Sequence, residues 1–300
     1  MNDFFSTRRK SSSRPSKFRK EYYMSNLHAL DLLKEQVLLN RNKNCESIDL
    51  EHMFLSVLGT KRSDFYTKTH YLSTDNKRKL CEMISRRNSG EPLAYILGRK
   101  GFWNIDLIVN EHVLVPRPET ETIIKLVLNL YGQKAIQILD AGTGSGAIAL
   151  ALASERKNWI VYALDKSQEA LNTAQVNKQN LCLNINLLRS DWLDSVKSLS
   201  LDVITSNPPY VSAKDPRLKA DGVIKEPLEA LVSDHEGLAD LNKIIKESFR
   251  CLVNGGRFLV EHAPEQSNLV KEFFKESNYT AIEVHKDLNG DKRISTGIKQ

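Results

Sequence analysis

Beyond Glu119 the chain alternates short apolar runs with helix-like segments, and no other feature restricts its fold as much. The candidate strands are IQILD, WIVYALD, INLLRSD, LDVITS, GRFLVEH and YTAIEVHKD, separated by segments such as GAIALALASERK, SQEALNTAQVNKQN and LADLNKIIKESFRCL. Strands buried on both faces read as continuous apolar runs, and helices between them supply the crossovers that parallel pairing needs. The expectation is an α/β domain built on a mostly parallel, Rossmann-like sheet covered by helices on both faces. The last stretch, YTAIEVHKDLNGDKRISTGIK, reads as two strands joined by a tight turn containing Asn-Gly, hence an antiparallel edge.

Upstream the periodicity is helical. Apolar residues recur at three- and four-residue steps in LHALDLLKEQVLL and LEHMFLSVLG, with Gly59 as the stop. This predicts a small helical domain over residues 24–90. GEPLAYILGRKGFWNIDLIVNEHVLVPRPETE follows, and its β-rich pieces FWNIDLIV and HVLVP predict a hairpin linker over 91–118 before a domain over 119–300. The net charge of +6 resides in the amino-terminal tail: MNDFFSTRRKSSSRPSKFRK holds seven Lys or Arg against one Asp, leaving 36 charges of each sign elsewhere. A neutral body argues against a groove that tracks phosphates. The tail, over residues 1–23, is expected to be disordered. Cys45, Cys81, Cys182 and Cys251 are scattered and the histidines show no ligand spacing, so no metal is expected. No membrane span or secretory leader is visible. A cytoplasmic protein is expected, with organellar targeting by the tail as an alternative.

In an open parallel sheet the ligand lies beyond the carboxyl ends of the strands, where LDAGTGSGAIAL falls. Gly142, Gly144 and Gly146 allow sharp turns and close approach to a ligand. Gly142-x-Gly144-x-x-Ala147 satisfies a dinucleotide-binding pattern, and Asp165 ends the next strand where a ribose-binding acid belongs, so the loop alone leaves the ligand open. Asp140 leans away from a pyrophosphate, because a carboxylate there repels it but attracts a cation. D-x-G-x-G-x-G, from Asp140 through Gly142, Thr143, Gly144 and Ser145 to Gly146, resembles the first motif of S-adenosylmethionine-dependent methyltransferases. That resemblance implies Asp165 on the ribose hydroxyls and Asp191-Trp192 beside the adenine.

The run LDVITS ends in Asn207-Pro208-Pro209-Tyr210. N-P-P-[YFW] after such a loop resembles methyltransferases that modify planar nitrogens. A conjugated amide nitrogen is a poor nucleophile; acceptors at Asn207 Oδ1 and the Pro208 carbonyl suit its two hydrogens, and Tyr210 suits stacking on its plane.

GEPLAYILGRKGFW, VPRPETE, LDAGTGSGAIALALA, SDW, SNPPY, EPLEALVSDHEGL and GGRFLVEH occur in this order, and from Met24 to the carboxyl end they resemble the release-factor glutamine-N5 methyltransferases. The resemblance implies a helical substrate-recognition domain, a hairpin linker and a seven-stranded class I methyltransferase domain. It also implies S-adenosylmethionine as donor, S-adenosylhomocysteine as product, no metal, and the glutamine of the Gly-Gly-Gln motif of class 1 peptide chain release factors as acceptor. Cofactor contacts are implied at Gly142 to Gly146, Asp165, Trp192 and Asn207, and substrate contacts at Asn207, Pro208, Pro209 and Tyr210. Phe102 and the segment around Arg117 and Glu119 wall the pocket in this reading, and Glu226-Pro227 order the long segment after N-P-P-Y. A monomer without membrane or nucleic-acid contact is expected. Ribosomal-protein glutamine methyltransferases and DNA amino-methyltransferases share parts of the pattern and remain alternatives.

Overall fold

The structure is a computed structural model and is described for residues 28–40 and 44–300. The basic tail expected over residues 1–23 lies outside the described residues. The chain divides into two compact units at Ser89 and Gly90.

The first unit is helical. α1 (Ala29–Leu39), α2 (Ser47–Leu58), α3 (Arg62–Thr67) and α4 (Thr74–Asn88) enclose Leu32, Leu50, Met53, Phe54, Phe65 and Leu80, all nearly inaccessible. Gly59 ends α2 in the left-handed conformation, where its N–H closes the last turn, as its place in the sequence predicts. Ser73 caps α4 by accepting from the Asn76 N–H. The half of the core made by α2 and α4 is crossed by a buried ion pair, Asp49 with Arg87 at 2.8 Å.

The second unit opens with α5 (Leu93–Leu97) and the hairpin β1 (Arg99–Phe102) and β2 (Ile105–Ile108). The turn falls at Trp103-Asn104, inside the piece expected to run on as strand. Trp103 takes a left-handed φ of 54°. Its backbone N–H donates to Glu121 and its indole N–H to Glu155, which holds the turn. HVLVP forms no strand. Side chains take its polar groups instead: Tyr95 donates to the Val113 carbonyl and the Val115 N–H donates to Glu226.

α6 (Glu121–Tyr131), β3 (Gln137–Ala141), α7 (Ala147–Glu155), β4 (Ile160–Asp165), α8 (Gln168–Asn180), β5 (Asn186–Arg189), β6 (Leu201–Ser206), α9 (Ala239–Cys251), β7 (Leu252–Glu261), α10 (Ser267–Glu276), β8 (Thr280–Lys286) and β9 (Lys292–Ile298) follow. They make a seven-stranded sheet in the order β5-β4-β3-β6-β7-β9-β8. β5 to β7 pair in parallel, and β9 lies antiparallel between β7 and β8, as the terminal Asn-Gly turn predicts. Alternation assigns the two faces. Ile138, Val161, Val203 and Leu259 pack with Ile123, Val127 and Leu150 of α6 and α7. Their neighbours Leu139, Ile204 and Phe258 turn to the other face, against Leu241, Ile244 and Phe274 of α9 and α10. The order in which successive strands are added reverses between the parallel neighbours β3 and β6, so the carboxyl ends of β3, β4 and β6 open onto one crevice.

Candidate active site

The first wall of that crevice is the loop after β3. Gly142, Gly144 and Gly146 all have positive φ (76°, 54° and 85°). The N–H groups of Gly142 and Thr143 both donate to the Leu164 carbonyl at 2.9 Å, which fastens the loop to the end of β4. A Cβ on Gly146 would lie 2.9 Å from Leu150 Cδ1, so this glycine lets α7 start tight against its own first turn. Asn177 of α8 braces the loop from behind: its Nδ2 donates to the Ser145 and Ile108 carbonyls, and its Oδ1 accepts from the Ile108 N–H. Sequence reading missed Asn177, which sits in an unremarked helix, AQVNKQN.

Asp165 closes the second wall. Its two oxygens accept from the Gly144 N–H at 2.9 Å and the Ser167 N–H at 3.0 Å. A carboxylate offers about four acceptor positions, so both oxygens retain capacity for ligand hydroxyls. Burial raises its pKa, and the two backbone donors act the other way.

A cavity of ≈ 480 Å³ lies between these walls. It is lined by Phe102, Pro116, Arg117 and Thr120 from the linker, Gly142 to Ser145 and Ala147 from the loop, and Asp165, Asp191 and Trp192 from the β4 and β5 ends. Asn207 and Pro209 line it after β6, and Pro227, Glu229 and Ala230 from the segment beyond. Trp192 is half-buried, with its indole N–H on Asp240 at 2.9 Å and its ring against Gly142. Asp191 is exposed and pairs with Lys243 at 3.0 Å.

Five of the predicted site residues stand outside that wall, Glu119 among them. Asp140 is inaccessible and accepts from the hydroxyls of Thr143 at 2.6 Å and Thr205 at 3.3 Å, so its carboxylate holds the loop from below. Burial pushes its carboxyl up to about 7. Gly146 faces Leu150, and Pro208 is buried. Tyr210 packs against the core under β6 and β7, with its hydroxyl on Glu261 at 2.9 Å.

Glu226 is buried after N-P-P-Y and accepts from Arg117 and the Val115 N–H, which draws the Pro227–Ala230 segment to the linker wall. Two further residues escaped the sequence reading. Thr120 accepts from Asn207 Nδ2 at 3.0 Å and donates to Glu261 at 2.7 Å.

Residues 31–98 match the PrmC N-terminal domain and residues 122–238 the methyltransferase small domain. A release factor glutamine methyltransferase of Salmonella typhimurium is 37% identical over 267 residues, 88% of this chain and 96% of the relative. The chain belongs to the release factor glutamine methyltransferase family. The relative of that name in Escherichia coli (strain K12) is 39% identical over 227 residues, 75% of this chain and 82% of its own length. A methyltransferase from Pyrococcus furiosus shares the fold at TM-score 0.51 and 20% identity, covering 76% of this chain and 99% of that one. The second unit of this chain accordingly has a class I S-adenosylmethionine-dependent methyltransferase fold, with β9 antiparallel between β7 and β8. Among the described residues no group of three or more His, Cys, Asp or Glu is arranged to hold a metal, and no helix is long and apolar enough to cross a membrane.

Proposed function

We propose that this chain transfers the methyl group of S-adenosylmethionine to the side-chain amide nitrogen (N5) of the glutamine in the Gly-Gly-Gln motif of class 1 peptide chain release factors. The observation that carries the reading is Asn207: it lines the cavity at the end of β6 while its Nδ2 is held by Thr120. Its Oδ1 is thereby left to accept a hydrogen from an incoming carboxamide.

The residues present suit a nucleoside bearing cations. Asp165 keeps acceptor capacity for vicinal hydroxyls, Trp192 offers a half-buried ring, and the glycine loop leaves room for close approach. When bound, the donor supplies an electrophilic methyl on a sulfonium. The chain's own part is to aim the amide nitrogen and to stabilise the positive character it acquires. Asn207 Oδ1 does this by accepting an amide hydrogen. The proton leaves to water. Phe102 and Pro209 supply the apolar rest of the wall. In this reading the helical unit recognises the release factor, and the protein works as a monomer in the compartment where release factors act, the cytoplasm, without direct nucleic-acid contact.

The test is methyl transfer from tritiated S-adenosylmethionine to release factor, ribosomal protein and DNA offered in parallel. Label in release factor alone is expected. Preferential label in either of the others would refute the proposal.

A further inference from the structure

Asn207 is the outer end of a buried chain of hydrogen bonds whose inner end is a carboxylate. Glu261, at the end of β7, is 1% exposed, and Thr120, where the linker enters α6, is 4% exposed. Glu261 Oε2 accepts from Thr120 Oγ1 at 2.7 Å, and Glu261 Oε1 accepts from the Tyr210 hydroxyl at 2.9 Å. Asn207 Nδ2 donates to Thr120 Oγ1 at 3.0 Å.

The direction of these bonds follows from the groups. Burial raises the Glu261 carboxyl above its ordinary range, while the hydroxyls of Thr120 and Tyr210 and the nearby Arg293 act the other way; both of its oxygens accept, and a threonine hydroxyl has only one hydrogen to give. Thr120 gives that hydrogen to Glu261, so toward Asn207 it can only accept. Asn207 must then present its NH₂ to Thr120. An isolated asparagine amide can flip its O and N at little cost in shape, but in this chain a flip would set two acceptors against each other. The same carboxylate holds Tyr210, so both ends of N-P-P-Y hang from Glu261.

We propose that Thr120 and Glu261 are positioning residues that lock the Asn207 amide with Oδ1 offered to the cavity, and so make the site select a carboxamide over a carboxylate of the same shape. The inference rests on the reading of Asn207 as the acceptor for a glutamine amide. A glutamate brings no N–H to Oδ1 and sets its own oxygens against it, which is a strong basis for rejection. Were the Asn207 amide free to turn, its NH₂ would face the cavity in part of the population and accommodate the carboxylate.

The test uses the full chain with release-factor peptides carrying Gly-Gly-Gln or Gly-Gly-Glu. Transfer rates are measured on the first, equilibrium binding on both, and melting temperature is recorded for every variant. Thr120→Val keeps the shape and loses the acceptor. It is expected to lower kcat by about 10- to 100-fold and to narrow the Gln-over-Glu binding preference by about tenfold or more. Thr120→Ser restores both. Glu261→Gln can donate to Thr120 and release its hydrogen, so it behaves like Thr120→Val, and the double variant is no worse than either single one because both break the same chain. A Thr120→Val protein whose rate and binding preference match the wild type would overturn the inference. So would a loss of rate that tracks a fall in melting temperature while the preference stays unchanged. If the wild-type chain transfers no methyl to the Gly-Gly-Gln peptide, the substrate reading falls and takes this inference with it; transfer by the wild type with indifferent variants defeats this inference alone.

Discussion

Two side chains near the glycine loop, Asp140 and Asn207, are each defined by the hydroxyls they touch. Asp140 was expected from its motif to face a cation. In the fold it lies beneath the loop, bonded to Thr143 and Thr205, and desolvation lifts its carboxyl to about 7 from an ordinary 3.8. Between those two values the folded protein binds a proton that the unfolded chain has released, so stability falls as pH rises through this window and levels off above it. Asp140→Asn removes that titration. The stability of the wild type relative to Asp140→Asn is expected to decline by more than about 1 kcal/mol between pH 4 and pH 7, since each pH unit of displacement corresponds to about 1.4 kcal/mol. Denaturant titration of both proteins across that range is the check, and a constant difference would contradict it. The motif revealed which acid matters but not which way it points, because D-x-G-x-G-x-G fixes a loop and not the burial of its first residue. Thr120 and Glu261 were harder still. They lie 141 residues apart in sequence and meet only after the sheet has formed, and neither residue type is unusual where it stands.

At the scale of elements, the alternation of period-two and period-3.6 patterns was enough to place the strands of the large sheet and the helices α7, α8 and α9, while it did not reveal α6 and α10, and HVLVP forms no strand. Turns were less legible. Trp103 has no intrinsic preference for a left-handed φ, and its turn is held by Glu121 and Glu155 from distant helices. The same holds for the turn Asp234–Gly237, where His235 (φ 51°) and Glu236 (φ 58°) are left-handed in succession. Gly237 explains it: a Cβ there would lie 2.2 Å from the Tyr210 carbonyl oxygen, and Gln266 donates to that same oxygen at 2.9 Å. The turn therefore presses the end of N-P-P-Y into place. Gly237→Ala must displace backbone, and a loss of about 2 kcal/mol or more in stability is expected, together with slower methyl transfer. Unchanged melting and unchanged rate would refute the contact. Arg117 and Glu226 make a parallel case for the linker. Glu226 is buried while Arg117 is a third exposed, so Arg117→Ala should cost about 1–3 kcal/mol, less than a fully buried pair for its solvent access, with a matching loss of release-factor methylation. Chemical denaturation reads the first and the transfer assay the second.

For the whole molecule, the sheet order brings together segments from the linker, the β3, β4 and β6 ends and the stretch after Pro227 around one cavity. A ligand that binds only the folded form stabilises it by about 2.7 kcal/mol at 100 times its Kd. S-adenosylhomocysteine is expected to raise the melting temperature accordingly, and Asp165→Ala to abolish most of that rise. Persistence of the full shift in Asp165→Ala would remove Asp165 from the ligand site. The central claim is that Asn207 aims a glutamine amide for methylation, and tandem mass spectrometry of a class 1 release factor after incubation with the chain and S-adenosylmethionine tests it most directly. One added methyl located on the side-chain nitrogen of the Gly-Gly-Gln glutamine is predicted, reduced by about 100-fold or more in initial rate by Asn207→Ala at unchanged melting temperature. A methyl on any other residue, or the same rate with Asn207→Ala, would contradict the account.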